Sequence, residues 1–358
     1  MEQRNQWVDI AKGIGILLVV YGHVARGIFN AGLPFEDEQL YQAIDSVLYS
    51  FHMPLFFFLS GLFFVASLDK RGPIGLIGNK LDTLLYPYLI WGLLQTVIQV
   101  VLSSYTNAKL SWSGLLSVLW EPPAHFWFLY TLFAVNLVCI PLYKAVPRAA
   151  YGGLAAGLLL LFIYRGAFGT AFPVWHVMTY IGFFALGAYF QTITGWMQKH
   201  LRLLAPLAIV TFLASQWTFH FEAGLLYTTV SRWLLLALAL ASVFGTIALC
   251  MVLARTGRFG FLAWLGTLSM EIYLLHVLTG SGTRIVLHKV FHVESVPLHL
   301  AVGMLTGVLV PIAVFRLLDR FGIDFLLQPR DGWRFSRLLG AAGRTSPKTA
   351  ATSSRLPS

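Results

Sequence analysis

A chain of 358 residues with 57% hydrophobic and only 11% charged residues lies far from a soluble domain, where about a quarter of residues are charged, and reads as a polytopic membrane protein. The net charge of +10 would suit nucleic acid, but the basic residues fall in short connections and a tail, as the positive-inside bias expects, so nucleic acid is excluded as a partner. Cys139 and Cys250 both lie in apolar runs and supply neither a disulfide framework nor a metal site.

The first span, residues 7–29, carries unusual chemistry. In DIAKGIGILLVVYGH ten uncharged residues separate Lys12 from His23. Eleven helical steps return the two side chains to nearly one face, about 16 Å apart. Asp9 is within pairing reach of Lys12, and Gly13, Gly15 and Gly22 leave room for a close approach to the backbone. Two readings are open. Lys12 snorkels to the interface with an inert histidine at the far end, or the ionisable groups line a wet interior cavity. With no clear cleavage signal following it, the span reads as retained.

The next loop holds Glu36, Asp37, Glu38 and Asp45 without Lys or Arg and is placed outside. Residues 46–68 form the second span, with His52 and Pro54 in its outer third; the proline frees a backbone carbonyl that other groups must satisfy. The loop 69–80, with Lys70 and Arg71, is cytoplasmic, and the third span, 81–104, opens on Lys80, Asp82 and YPYLIW. An outer loop, 105–124, leads to the fourth span, opened by His125 and Trp127, where a plain aromatic belt is the competing reading for Trp127. Spans at 149–164, 172–191, 203–221 and 230–254 contain few polar side chains and read as scaffold and lipid-facing wall.

The ninth span, GFLAWLGTLSMEIYLLHVLTG, carries Glu271 in its interior and His276 about a turn and a half above it. A carboxylate at that depth must be protonated, paired with a cation on another helix, or wet. Arg284, His288, Lys289, His292 and Glu294 fall in the last outer loop, residues 296–316 make the tenth span, and the tail from Arg330 onward reads as disordered. The expected fold is an all-α membrane bundle of about ten transmembrane helices with both termini cytoplasmic. It comprises a transmembrane domain, 1–328, and a basic tail, 329–358.

That orientation puts His23, His52, His125 and His276 in the outer thirds of four spans and Lys12, Lys80 and Lys70 or Arg71 at the inner side. A cavity crossing the bilayer follows as a hypothesis, cationic at the bottom and imidazole-lined at the top. Imidazoles suit acid–base chemistry on an external hydroxyl. Cations at the bottom suit a phosphate-bearing donor from the cytoplasm.

The segments WVDIAKGIGILLVVYGH, SFHMPLFFFLSGLFF, LLYPYLIWG, HFWFLY and LGTLSMEIYLLH, in that order over residues 5–325, resemble the membrane-bound acyltransferase-3 family. The first two resemble its fucose 4-O-acetylase branch and exopolysaccharide relatives. The resemblance implies an acyl group, usually acetyl from acetyl-CoA, moved onto a hydroxyl of a sugar or glycan at the outer face of a bacterial inner membrane. It implies no permanently bound cofactor. The family's basic residue followed eleven positions later by histidine falls on Lys12 and His23, with Lys in place of the commoner Arg. Its basic pair before the third span falls on Lys80 and Thr83, so the second cation is missing and Arg71 or Lys70 becomes a substitute. SGLFF, His125 with Trp127, and the YLLH ending at His276 also match.

Both lines assign His23, Lys12, Asp9 and His52 to catalysis, Lys80, Lys12 and Arg71 to the acyl-CoA phosphates, and His125, Trp127, Glu271 and His276 to the acceptor. His23 is the general base or, alternatively, an acyl carrier. The competing class is a proton-coupled transporter or flippase without acyl chemistry, using Asp9, Glu271 and the histidines as a relay.

Overall fold

The computed structural model describes residues 6–101, 103, 112–228 and 230–342. Residues 104–111, across the end of the expected third span and the start of its outer loop, and 343–358 of the expected tail lie outside the described residues. Among the described residues every regular element is helical. Nine helical segments among the described residues are long and apolar enough to cross a membrane, or up to ten if a pair of helices bent by 77° counts as one span.

The first helix, α1 (Gln6–Phe29), is buried along most of its surface, as expected for a helix that is apolar all round. It packs against α2 (Glu38–Gly61), α9 (Arg232–Thr256), α10 (Gly260–Thr267), α11 (Ser269–Ile285) and α12 (Val296–Arg320). Glycine permits the closest of these approaches. A Cβ on Gly13 would run into the carbonyl of Leu262, and one on Gly266 into that of Asp9, so α1 and α10 touch backbone to backbone. The same device joins α2 to α7 (Val174–Lys199) through Gly61 and Gly187. Rings meet two other α1 glycines, Phe56 at Gly15 and Tyr49 at Gly22.

The acidic stretch expected as loop begins α2, because Asp37 caps it by accepting the amide of Leu40 at 2.8 Å, with Glu38 in the first turn. The connection expected at 69–80 is likewise helical. Helix α3 (Phe64–Lys80) runs through Lys70 and Arg71, breaks at Gly72 (φ 68°) and restarts at Pro73. Gly-Pro reads as a turn in sequence, yet a left-handed glycine followed by a proline also ends one helix and begins the next. A π-helical turn, Leu81–Leu85, then carries the chain into α4 (Tyr86–Val101).

After α5 (Trp127–Ala145) and α6 (Tyr151–Tyr164), the pair α6 and α7 and the pair α8 (Leu201–Trp217) and α9 pack as antiparallel neighbours. The outward face of α8 is exposed, with Leu203, Leu207 and Val210 uncovered, as a lipid-facing wall requires. Cys139 and Cys250 are buried free thiols. At the chain's end, residues 335–342 depart from the expected disorder and form α13 (Phe335–Ala342), packed on α3. Buried Asp82 supplies its N-cap, accepting the amides of Phe335 and Ser336 at 2.8 and 3.1 Å and the Ser336 hydroxyl at 2.5 Å.

Candidate active site

A cavity of about 770 Å³ runs beside α1. Its α1 wall is one stripe, Lys12, Ile16, Val19, His23 and Arg26, the i, i+4, i+7 spacing of a single helix face. Fourteen residues at 1.5 Å each make that stripe about 21 Å long. The α2 wall is Tyr49, His52, Met53, Phe56, Leu59 and Ser60, again one face, and Phe63 continues it just beyond the helix end. The remaining wall comes from Lys80, Thr83 and Leu84, from the stretch of Ala124, His125, Trp127 and Phe128 with Leu129 and Leu132 behind it, and from Tyr273 and the bend between α10 and α11.

Imidazoles cluster around His23, toward the Arg26 end of the stripe. The rings of His23, His125 and His276 lie with centroids 5.8 Å (His23–His125), 5.1 Å (His23–His276) and 4.8 Å (His125–His276) apart. His125 sits in a short 3-10 turn after Ala124, whose φ of 49° is left-handed. Tyr273 pins that turn by donating its hydroxyl to the His125 carbonyl at 2.5 Å. Both ring nitrogens of His125 are buried without a hydrogen-bond partner among the described residues. His52 donates Nδ1–H to the carbonyl of Leu48 at 2.6 Å, which leaves its Nε2 as the free nitrogen on the cavity wall.

The rim beyond His23 is held by Arg26. Its guanidinium makes a bidentate pair with Asp45, both contacts 2.7 Å, and donates to the Tyr227 hydroxyl at 3.3 Å. It also lies 3.2 Å from the Tyr49 ring centroid, an arrangement that favours a cation over an aromatic face. Trp127 presents a flat aromatic surface to the cavity, stacked on Tyr180 at 5.5 Å with His176 beside it at 4.9 Å.

At the other end stand Lys12 and Lys80. Between the ends, the bent span exposes helix termini where a straight helix would offer none. The chain turns at Leu268, and Gly266, Thr267, Ser269 and Met270 all line the cavity. Irregular backbone at membrane depth is tolerated where it borders a cavity or is buried in protein. The N-terminus of α11 places unpaired amides and a partial positive charge there.

The structure therefore brings Lys12, His23, His52, Lys80, His125 and Trp127 to one cavity. His276 touches the imidazole cluster from behind His23. Three other candidates stand elsewhere. Asp9 is buried in the α1–α10 contact. Arg71 is exposed, near enough for its charge to be felt at Lys80. Glu271, in the first turn of α11, has Oε2 buried without a hydrogen-bond partner and lies within electrostatic reach of Arg316 of α12. Sequence reasoning missed Arg26, which follows His23 by three residues on the same face and was legible by that spacing. It also missed Tyr273 and the bend, for which the polar Gly-Thr-Leu-Ser stretch in an apolar span was the available signal.

Residues 5–316 match the family model described as an acyltransferase domain. Among curated proteins, the chain is 29% identical over 136 residues to Nodulation protein NolL of Sinorhizobium fredii (strain NBRC 101917 / NGR234), covering 38% of this chain and 36% of that protein. It is 26% identical over 199 residues to Nodulation protein NolL of Mesorhizobium japonicum (strain LMG 29417 / CECT 9101 / MAFF 303099), covering 54% and 49%. The chain thus spans less than half the length of these relatives. No solved structure matches it.

Proposed function

The chain belongs to the acyltransferase-3 family, and from that premise we propose that it is an integral membrane O-acyltransferase. It carries an acyl group, acetyl in the first instance, from acyl-CoA on the cytoplasmic side to a hydroxyl of a sugar in a lipid-linked or polymeric glycan outside. The observation that carries this reading is the single cavity that joins Lys12 and Lys80 to the imidazoles of His23 and His125.

The CoA phosphates lie at Lys12 and Lys80, and the thioester arm runs along the α1 stripe to His23. His23 takes the proton of the acceptor hydroxyl as its oxygen attacks the thioester carbonyl. The tetrahedral adduct collapses with cleavage of the C–S bond, and the leaving thiolate takes the proton back from His23. The amides at the start of α11 are the donors facing the developing oxyanion, and His52, whose Nε2 carries the lone pair, accepts from a hydroxyl of the acceptor. The stacked face of Trp127 suits the apolar face of a sugar ring.

The bent span favours a second reading, because broken helices near the midplane are a transporter device. Transfer of radiolabelled acetyl from acetyl-CoA into base-labile carbohydrate, in membranes holding equal amounts of wild type and His23→Ala, separates the two. Wild type should label the carbohydrate, and the variant should fall by about 10²–10⁴-fold. Undiminished labelling by a folded His23→Ala would sink the assignment of His23. No label from acetyl or longer acyl donors, with acceptor present, would favour transport.

A further inference from the structure

A second, much smaller cavity of about 20 Å³ lies between α1, α11 and α12, and His23 lines it as well as the main one. His23 therefore borders both. On the far side stand His276, Arg284 and His299, which are 1%, 7% and 2% exposed. Each presents a buried polar atom with no hydrogen-bond partner among the described residues: His276 Nε2, Arg284 Nε and His299 Nδ1.

Other bonds fix what these atoms offer. His276 donates Nδ1–H to the carbonyls of Tyr273 and Ile272 at 2.8 and 3.2 Å. His299 donates Nε2–H to the carbonyl of Val293 at 2.9 Å. In the neutral rings the remaining nitrogens are lone-pair acceptors, whereas Arg284 is a donor only. Residues offering one donor and two acceptors thus line a space about the size of a single oxygen.

That combination selects its occupant. An anion would meet the guanidinium favourably but face two imidazole lone pairs. An ammonium would meet the lone pairs but face the guanidinium. A hydroxyl-bearing oxygen accepts from Arg284 and donates to an imidazole, and buried polar groups of this kind are otherwise retained only at a cost.

We propose that this pocket is a hydroxyl subsite in which Arg284, His276 and His299 hold a hydroxyl-bearing oxygen directly behind His23. Water fills it in the free protein and a hydroxyl of a neutral sugar fills it when the acceptor binds. The second occupant rests on the acyltransferase reading; the hydroxyl chemistry rests on the pocket alone. Seated there, one hydroxyl of the sugar positions its neighbour at His23, and acceptors carrying a carboxylate at that position are rejected.

The test uses the purified full-length chain in nanodiscs, as wild type, Arg284→Met and Arg284→Lys. Affinities for methyl glycosides of a neutral hexose, a 6-deoxyhexose and a hexuronic acid are read from the unfolding midpoint, alongside affinity for acetyl-CoA. The neutral glycosides should bind at least tenfold more tightly than the uronate. Arg284→Met should lose at least tenfold for them without change toward acetyl-CoA, and Arg284→Lys, which keeps a donor, should recover part of the loss. With ¹⁵N-histidine labelling and no sugar, the His276 Nε2 and His299 Nδ1 resonances should shift in Arg284→Met as the water is released. Shifted resonances with unchanged sugar affinity would leave the hydroxyl site standing and overturn its role toward the acceptor. Unmoved resonances with unchanged affinities, or tighter binding of the uronate, would overturn the subsite. Intact sugar binding with no acyl transfer by wild type would instead remove the acyltransferase reading and leave the subsite in place.

Discussion

Arg26 and Asp45 show what a single pair contributes at the rim. The two are joined by parallel 2.7 Å contacts with side-chain exposures of 33% and 16%, and Tyr49 and Tyr227 close around the guanidinium. Bidentate geometry strengthens such a pair, and partial exposure weakens it. A double-mutant cycle of Arg26→Gln and Asp45→Asn, read by thermal unfolding, should give a coupling of about 1 kcal/mol. A coupling near zero would mean that the tyrosines alone hold the arginine. The arginine's side of this pair was legible in the sequence, because periodicity places Arg26 on the face of Lys12 and His23. Its partner was not, because nothing in one chain's spacing says which helix stands opposite. The same limit explains the histidines: their common depth followed from charge bias, but the contact of three rings depends on which helices are neighbours.

At the scale of the element, the informative features are the places where helices break or touch. Gly13 lets the carbonyl of Leu262 approach α1, so Gly13→Ala should lower stability by about 1–3 kcal/mol through forced separation of α1 and α10. Gly153 has nothing within 4 Å of an added Cβ, and Gly153→Ala in α6 should be neutral or stabilising by about 0.5–1 kcal/mol. Unfolding midpoints of the two variants compare them directly, and equal midpoints would refute the close-contact account. Asp82 likewise acts at this scale. Asp82→Ala removes the cap of α13, worth about 1 kcal/mol, and should make residues 335–342 susceptible to limited proteolysis while 6–320 stays protected. The basic composition of the tail hid this helix, because its stability comes from a carboxylate more than 250 positions earlier in the chain. The bend at Leu268 was hidden for a different reason: its flanks are apolar enough to read as one continuous span.

For the whole molecule, the charge bias sets the expected sidedness, with the Lys12 and Lys80 end of the cavity facing the cytoplasm. Cys139 and Cys250 are buried and give a quiet background for labelling. A cysteine introduced at Glu36 should react with a membrane-impermeant maleimide from outside intact cells, and one at Asp69 only after lysis. The reverse pattern would invert the direction of acyl transfer proposed above. The central position of α1 has a further consequence, for biogenesis. The helix that carries Lys12 and His23 leaves the ribosome well before α9 to α12, which enclose it. At about 5–20 residues per second, the wait between them is on the order of tens of seconds. During that wait α1 must reside in the bilayer without its final partners. The nascent chain should therefore be silent in acyl transfer until α9 to α12 have been made, and a chain that stalls before α10 should be recognisable to quality control by the unsheltered lysine and histidine of α1.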